Sequence, residues 1–161
     1  MRLRQLELLR YGKFTNTLLE FPRAEVDFHV IVGPNEAGKS TVRAAVQELL
    51  FGMPRSSPLA FVHAQSDLRL GAIVENADGQ QLAFQRSKSS KAPLRTPDDE
   101  PLAEGALQAF LGGVERAFFE QMFGLDHGQL VEGGKSILDA SKDVGQVLFQ
   151  SAAGIAGLGR I

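Results

Sequence analysis

One glycine-rich segment constrains the fold of this chain more than any other stretch of its sequence. It reads Gly33-Pro34-Asn35-Glu36-Ala37-Gly38-Lys39-Ser40-Thr41 and fits the pattern Gly-(four residues)-Gly-Lys-Ser without a mismatch. A nearly continuous apolar run, residues 28–32, precedes the segment, and apolar residues at helical spacing follow it. The order of strand, tight loop and helix predicts an α/β protein.

The residues of this loop are the types that phosphate binding requires. Glycine lets the backbone curl so that successive N–H groups point toward phosphate oxygens. Lys39 adds a positive charge over the β- and γ-phosphates, the Ser40 hydroxyl can bind Mg²⁺, and the helix that follows adds its positive dipole end. We therefore predict that residues 33–41 bind the phosphates of a nucleoside triphosphate, ATP with magnesium.

Three residues in and before the loop have more than one interpretation. Thr41 can assist at the α-phosphate or can simply begin the helix. Glu36 occupies a variable position of the pattern, and we expect it to be a solvated carboxylate. His29 lies in the apolar run, where we expect a hydrogen-bonded core histidine rather than a ligand.

Composition limits the class of protein. The formal charge of −2 excludes a uniformly basic nucleic-acid binder but allows a local basic patch. The chain has no cysteine, which removes disulfides and thiolate metal sites and fits a reducing compartment. No apolar run approaches the ~20 residues of a membrane span, and the N-terminus lacks the apolar core of a signal peptide. We expect a cytoplasmic protein with no membrane partner.

Hydrophobic periodicity predicts a sheet with helices packed against it. Alternation and short apolar runs mark the strands, and Asn76-Ala77-Asp78-Gly79 is a strong hairpin turn signal. The predicted strands are residues 2–10, 17–21, 27–32, 68–75 and 80–86, and the predicted helices are residues 42–50, 102–111, 114–123 and 137–150. We therefore predict an α/β fold with a mixed, partly antiparallel sheet around the phosphate loop and flanking helices.

Further expectations concern packing and the ends of the fold. The helix over residues 114–123 is expected to bury one apolar stripe, formed by Val114, Phe118, Met122 and Phe123. Residues 87–101 are polar and contain several prolines, which predicts a flexible loop inside one domain. Residues 153–159 are too glycine-rich for a stable helix end, and we expect a longer protein to continue there.

Four segments resemble one family of ATPases. The letters of the phosphate loop resemble those of ABC-type ATPases, particularly the SMC and SbcC-like coiled-coil ATPases of DNA repair and chromosome maintenance. The start of the chain is also similar, with Tyr11-Gly12-Lys13-Phe14 between two strands. Phe61-Val62-His63 resembles a stretch that such ATPases carry near the nucleotide. Residues 118–134, which include Asp126-His127-Gly128-Gln129-Leu130, are similar to the YhaN-like branch.

The resemblance implies a P-loop NTPase whose N-terminal lobe spans residues 1–161. It implies that Lys13, Val62 and His63 contribute to ATP binding beside the loop. It also implies that residues 126–130 form the Q-loop, which reaches the metal and the γ-phosphate.

The Q-loop departs from the usual pattern of the family. The place of the usual glutamine holds His127, and Gln129 follows two residues later. Either residue can contact the magnesium shell together with Ser40, or His127 can simply cap a turn.

Two catalytic motifs of ABC-type ATPases are missing from the sequence. Residues 70–75 end in a single glutamate rather than Asp-Glu and predict a plain strand, and residues 110–115 lack the serine of the signature motif and predict a loop. In the family these motifs lie in a C-terminal lobe beyond a long coiled coil. The chain therefore has no complete catalytic set, and we expect ATP hydrolysis only after a C-terminal lobe and a second head complete it. The family further implies DNA and an SbcD-like nuclease as partners.

Two alternatives stay open. The chain can be a non-catalytic nucleotide-dependent dimerisation or sensor module, for which binding alone matters. It can also be another P-loop enzyme, although the Asn-Lys-x-Asp motif of a GTPase is absent from the sequence. A kinase would need lid arginines, and the predicted flexible loop of residues 87–101, with the residue before it, offers only Arg86 and Arg95.

Overall fold

In the computed structural model of this chain, the described residues are 1–88 and 92–124, with positions 128, 130, 131 and 135. Met1–Phe119 forms one compact unit, and a second unit begins at Glu120. The Q-loop residues Asp126, His127 and Gln129, the predicted helix 137–150 and the glycine-rich tail lie outside the described residues. The prediction of a single lobe over residues 1–161 therefore stays a prediction.

A five-stranded sheet with the order β2-β1-β3-β4-β5 organises the first unit. The strands are β1 Arg2–Tyr11, β2 Phe14–Glu20, β3 Arg69–Glu75, β4 Gln81–Ser87 and β5 Leu94–Arg95. Four of the five predicted strands are thereby confirmed. All four described pairings are antiparallel, so the predicted mixed sheet is not found in this part of the chain.

The hairpin between β3 and β4 forms as its turn sequence predicts. The side-chain Oδ1 of Asn76 accepts hydrogen bonds from the backbone N–H groups of Asp78 and Gln80, at 3.0 and 2.9 Å. Gly79 has φ +82°, a conformation that costs glycine nothing and other residues about 1–2 kcal/mol. The turn fixes the register of β3 against β4, with Glu75 opposite Gln81.

Helix α1, Lys39–Phe51, begins at the end of the phosphate loop and packs on β1 and β3. It ends at Gly52, whose N–H donates to the Glu48 carbonyl. Its buried apolar residues recur at helical spacing and face the apolar side of the sheet; they are Val42, Ala45, Leu49 and Leu50. Burying a side chain such as Leu49 stabilises the fold by about 1.5–3 kcal/mol. The predicted helix is confirmed.

Two short helices follow the sheet: α2, Glu104–Leu111, and α3, Arg116–Met122. In α3 the Phe119 ring packs against Phe51, with ring centroids 5.2 Å apart. Neighbouring residues of a helix differ by ~100° around its axis, so the face that carries Phe118 points elsewhere. Phe118, Met122 and Phe123 are exposed, and the predicted buried stripe is wrong. None of the described helices combines the length and hydrophobicity that a membrane crossing requires.

The apolar run before the phosphate loop lies outside the sheet. Residues 28–32 belong to no strand, and no described strand pairs with them. Phe28 and Val32 are 80% and 83% exposed, and Val26, Val30 and Ile31 are also exposed. The predicted strand over residues 27–32 is therefore wrong for this structure, because no strand of the described residues lies beside the run to bury it. His29 is likewise exposed and is not a core histidine; its ring packs edge-on against Phe21, with ring centroids 5.4 Å apart.

The segment predicted as a flexible loop carries ordered contacts in its described part. Leu94, in β5, is fully buried, and β5 pairs with β4. A turn closes over residues 96–100, where the N–H of Thr96 donates to the Glu100 carbonyl at 2.8 Å. Residues 89–91 lie outside the described part, and the mobility of residues 87–101 stays a prediction.

Candidate nucleotide-binding site

The phosphate loop curls between the apolar run and α1. The N–H of Ala37 donates to the Pro34 carbonyl at 3.2 Å, which closes a turn. Glu36 has φ +64° and Gly38 has φ +102°, so the backbone reverses twice before the helix begins. The exposed Glu36 side chain agrees with its expected role as a solvated carboxylate. Its left-handed backbone is not visible in the sequence, because the pattern leaves this position free.

Glycine is required at both ends of the loop for steric reasons. A Cβ atom added at Gly33 would lie 2.9 Å from the Ala37 Cβ, and one added at Gly38 would lie 2.5 Å from Cζ of Phe14. Gly38 is also the N-cap of α1, where no side chain makes a capping hydrogen bond and no acidic residue lies in the first turn. The helix therefore begins without a side-chain anion at its positive end. These features fit a bound phosphate group.

Two lysines reach the carbonyl groups of this loop. Lys39 Nζ donates to the carbonyls of Gly33 and Pro34, both at 2.8 Å. Lys13 Nζ donates to the Glu36 carbonyl at 2.6 Å. The structure thus brings Lys13, implied by the family resemblance, to the loop that the motif predicts. Both ammonium groups lie on exposed side chains, so a phosphate can reach them.

The hydroxyl residues that follow Lys39 lie in the first turn of α1. Ser40 is exposed, so its hydroxyl is open to a ligand. Thr41 packs against the β1–β2 turn, where a Cβ atom at Gly12 would meet its Cγ2 at 2.6 Å. This contact gives Thr41 a packing role, and its expected roles at the α-phosphate or at the helix start both stay predictions.

The segment around Val62 and His63 is connected to the same region through the sheet. The N–H of Gly12 donates to the Leu59 carbonyl at 3.0 Å. His63 Nε2 lies 2.9 Å from the Phe14 carbonyl and 3.1 Å from Thr15 Oγ1. Val62 is exposed. Among the predicted site residues, the structure gathers the loop, Lys13 and His63.

Sequence reasoning missed the neighbours of the loop, Gly12, Phe14 and Thr15. The signal was present, because Tyr11-Gly12-Lys13-Phe14 was one of the segments that resembled the family. The sequence alone does not show that this turn lies against Gly38.

One buried carboxylate, Glu75 at the end of the central strand β3, has a structural role. Glu75 accepts hydrogen bonds from Arg4 Nε and Nη2, both at 3.1 Å, and from Gln81 at 3.2 Å. The Arg4 guanidinium holds the pKa of Glu75 below its ordinary value. Glu75 is therefore an ionised, fully engaged partner of Arg4, which confirms residues 70–75 as a plain strand.

Arg4 also binds Asp27, the residue directly before the apolar run. Asp27 accepts hydrogen bonds from the backbone N–H of Ala24 at 2.9 Å and from Arg4 at 3.2 Å, and it forms an ion pair with Arg2 at 2.9 Å. The hydrogen bond from Ala24 and the nearby guanidinium groups hold the pKa of Asp27 below its ordinary value. Asp27 is thus a half-buried anchor within a stretch whose residues are exposed on both sides of it.

The described residues contain no cluster of three or more histidine or carboxylate side chains that could hold a metal ion. A magnesium site at this loop would therefore draw on the Ser40 hydroxyl and on oxygen atoms of the nucleotide, as Mg²⁺ commonly does. The residues His127 and Gln129, predicted to contact the magnesium shell, lie outside the described residues.

Comparison with known proteins agrees with the loop and its surroundings. The whole chain, residues 1–161, matches a family described as an AAA domain. It is also 26% identical over 167 residues to a Bacillus subtilis (strain 168) protein that bears the name "Uncharacterized protein YhaN". The match covers 100% of this chain and 16% of that relative. The chain therefore belongs to the AAA domain family, and its similarity to YhaN supports the predicted resemblance to the YhaN-like branch.

Proposed function

We propose that this chain is the ATP-binding N-terminal lobe of an SbcC/YhaN-like ATPase and that it hydrolyses ATP only when a C-terminal lobe and a second head complete it. The family supports nucleotide binding and the ATPase class. The curled glycine loop, the two lysines on it and the uncapped start of α1 support a phosphate site.

The observation that carries the proposal of a missing lobe is the exposed apolar run beside the loop. Val26, Phe28, Val30 and Val32 are all more than half exposed, and they occupy every second position of one short stretch. A contiguous apolar surface of this kind marks an interaction site in a soluble protein. Covering each side chain would contribute about 1.5–3 kcal/mol. The Phe28 N–H donates to the Val26 carbonyl at 3.0 Å, and the described contacts of residues 29–32 include no backbone hydrogen bond, so those residues can pair with a strand. A second lobe that adds a strand to residues 28–32 would bury them.

The state of Glu75 supports the need for an added catalytic carboxylate. Glu75 ends an apolar strand, as a catalytic acid of this class would, but Arg4 and Gln81 occupy its oxygens. Phosphoryl transfer to water needs a group that positions the attacking water and cations that stabilise the transferred phosphoryl group. We propose that Lys39, Ser40 and Lys13 hold the phosphates and metal and that the water-positioning group belongs to the second lobe.

Magnesium would supply charge neutralisation across the β- and γ-phosphates when the nucleotide is bound. From the resemblance we further propose that the Q-loop, through His127 or Gln129, senses the γ-phosphate. We also propose that the whole protein acts in the cytoplasm on DNA with an SbcD-like nuclease subunit. The chain spans 16% of the length of YhaN, so most of such a protein would lie in other segments.

Nucleotide titration paired with a hydrolysis assay tests the proposal. The chain alone should bind ATP in the presence of Mg²⁺ and hydrolyse it at the background rate. Adding the proposed C-terminal lobe should bring hydrolysis to the ordinary enzymatic scale of ~1 s⁻¹ or more. A steady magnesium-dependent rate of that size from the chain alone would show that the catalytic set is already complete, and absence of ATP binding would remove the proposal entirely.

The engagement of Glu75 also favours one second candidate, a nucleotide sensor or dimerisation module without turnover. Hydrolysis that stays at background after the C-terminal lobe is added, with ATP-dependent dimerisation retained, would select this candidate. A kinase is disfavoured because its candidate lid arginines are in use. Arg86 is buried and pairs with Glu104 at 2.8 Å, and Arg95 pairs with Asp99 at 3.3 Å.

A further inference from the structure

We propose that the tip of the β1–β2 hairpin is the wall that holds the phosphate loop in its binding shape, with Phe14 as a positioning residue and His63 as its anchor. The inference rests on the proposed binding of nucleotide by the loop. It assigns affinity to residues that touch the loop and not the nucleotide, and it changes the role of His63 from a ligand of the nucleotide to a support of the hairpin.

The Phe14 ring lies directly against the last glycine of the loop. A Cβ atom at Gly38 would be 2.5 Å from Phe14 Cζ and 2.7 Å from Cε2. The ring is half-buried and packs on the same core as α1. Because the ring and the Gly38 backbone are in contact, the ring limits how far residues 37–39 can move toward the hairpin. Those residues also set the direction of the first N–H groups of α1, which a phosphate would use.

Two further contacts join the hairpin tip to the loop and the helix. The Lys13 ammonium group holds the Glu36 carbonyl at 2.6 Å, in the left-handed part of the loop. Gly12, with φ +59°, packs on the Thr41 methyl group in the first turn of α1. The hairpin tip therefore contacts the phosphate loop at Glu36 and Gly38. It also contacts the first turn of α1, at Thr41.

His63 anchors the hairpin through contacts with the first two residues of β2. Its Nε2 lies 2.9 Å from the Phe14 carbonyl oxygen and 3.1 Å from Thr15 Oγ1; because a carbonyl only accepts, the bond to Phe14 requires the Nε2–H tautomer, whose hydrogen Thr15 Oγ1 can share. The adjacent hydrogen bond from Gly12 N–H to the Leu59 carbonyl holds the same segment against the tip. These contacts commit the Nε2 edge of His63 to β2, and they fix the residue that touches Gly38.

The loop needs such external support because few hydrogen bonds of its own hold it. Residues 33–36 are exposed, and the described hydrogen bonds within the loop are the one from the Ala37 N–H to the Pro34 carbonyl and those from Lys39 Nζ to the Gly33 and Pro34 carbonyls. Lys39 is itself a proposed phosphate ligand, so its bonds to the loop compete with that role. A loop that samples several shapes must be ordered when a ligand binds, which lowers affinity. A fixed wall removes part of that cost before binding.

The first experiment measures Mg²⁺-dependent binding of ATP and of pyrophosphate to the intact protein and its Phe14 variants. Phe14→Ala should weaken both ligands by about tenfold, since a misplaced loop loses contacts to any phosphate. Phe14→Leu should weaken both by about threefold, because it restores bulk without the flat ring. Phe110→Ala, which removes a half-buried ring from α2 on the same core, should change neither by more than about twofold.

Circular dichroism and thermal unfolding establish that each variant is folded, and Phe14→Leu carries the test if Phe14→Ala does not fold. Unchanged affinities in a folded Phe14 variant would overturn the role of the wall, and so would an equal loss in Phe110→Ala. Wild-type protein that binds neither ATP nor pyrophosphate would instead remove the proposed function. The two failures are therefore distinguishable.

The second experiment separates an anchoring role of His63 from a direct contact with nucleotide. His63→Ala should weaken ATP and pyrophosphate by the same factor, about three- to tenfold, because it acts through the loop. The double variant Phe14→Ala/His63→Ala should bind no more than about twofold more weakly than Phe14→Ala, since both act through one contact. If His63→Ala weakened the binding of ATP but not of pyrophosphate, or if the losses in the double variant were additive, His63 would contact the nucleotide directly. Either result would overturn its anchoring role.

Discussion

The sheet with α1 and the apolar run before the phosphate loop are both rich in apolar residues, but most of those of the sheet and α1 are buried and those of the run are exposed. Residues such as Leu6, Leu70 and Leu49 are fully buried, because β1, β3 and α1 cover one another. Val30 and Val32, only a few residues before α1, are exposed and have no described strand beside them. The phosphate loop joins these two regions.

The difference shows which part of the unit is complete by itself. The antiparallel sheet closes its core with pairings between strands that the chain itself supplies. The apolar run has the composition of a buried strand, and we propose that its neighbours come from another lobe. The loop is therefore supported on its α1 and hairpin side and lacks support on the side of the run.

The largest expected effect contrasts a core leucine with an exposed valine. Leu49→Ala should lower the free energy of unfolding by about 2–5 kcal/mol, because it leaves a cavity under α1. Val32→Ala should change it by less than about 0.5 kcal/mol in the isolated chain. Urea denaturation of both variants measures this. If both variants lost the same free energy of unfolding, the apolar run would be packed in solution, and the contrast between a buried core and an exposed run would be wrong.

A smaller effect contrasts two glycines with positive φ. Gly79→Ala places a side chain in open space, so only the backbone strain of about 1–2 kcal/mol should appear in the free energy of unfolding. Gly38→Ala adds a collision with the Phe14 ring and should also weaken ATP binding. The difference between the two variants in urea and in ATP titration reports the contact with the hairpin. If the two variants lost the same stability and bound ATP equally well, the Phe14 ring would move aside at no cost, and its contact with Gly38 would not matter.

The smallest expected effect separates two buried carboxylates by the sign of their pH dependence. Arg4 lowers the pKa of Glu75, so its contribution to stability is present above the unfolded pKa of about 4.3 and is lost as the pH falls through the lower folded value. Burial raises the pKa of Glu48, so its charge opposes folding at neutral pH, and this cost disappears as the pH falls below the unfolded value.

At pH 7, Glu75→Gln should therefore lower the urea midpoint and flatten its decline in acid. Glu48→Gln should raise the midpoint at the same pH. Midpoints measured from pH 3 to 7 test both signs, and a loss of stability at pH 7 in both variants would contradict the assigned cause for Glu48.

Local pattern was sufficient for the elements that the chain completes by itself. Alternation placed β1, the Asp78-Gly79 turn signal placed β3 and β4 on either side of it, and helical spacing placed α1, because each signal lies within one element or one hairpin. β2 begins at Phe14 rather than Thr17, since the tight turn pairs Tyr11 with Phe14. The apolar run was predicted as a strand because hydrophobicity does not show whether a partner strand is present.

The candidate site divides in the same way. The loop and its two glycines follow from the motif, and Lys13 follows from the family resemblance. The contacts of Phe14 with Gly38 and of His63 with β2 join residues far apart in sequence, and only the packed hairpin places them together. The magnesium-shell predictions for His127 and Gln129 fall outside the described residues and stay predictions.

Titration of Mg²⁺-ATP into wild-type protein and Lys39→Ala tests the central claim, that the loop binds triphosphate, most directly. The variant should bind about 2–3 kcal/mol more weakly, roughly 30- to 150-fold, because it loses a charge-assisted contact to the phosphates. Lys88→Ala, which removes a lysine at the end of β4, controls for loss of charge and should bind as the wild type does. Equal ATP affinity in wild type and Lys39→Ala, with both folded, would contradict the assignment of the phosphate site to this loop.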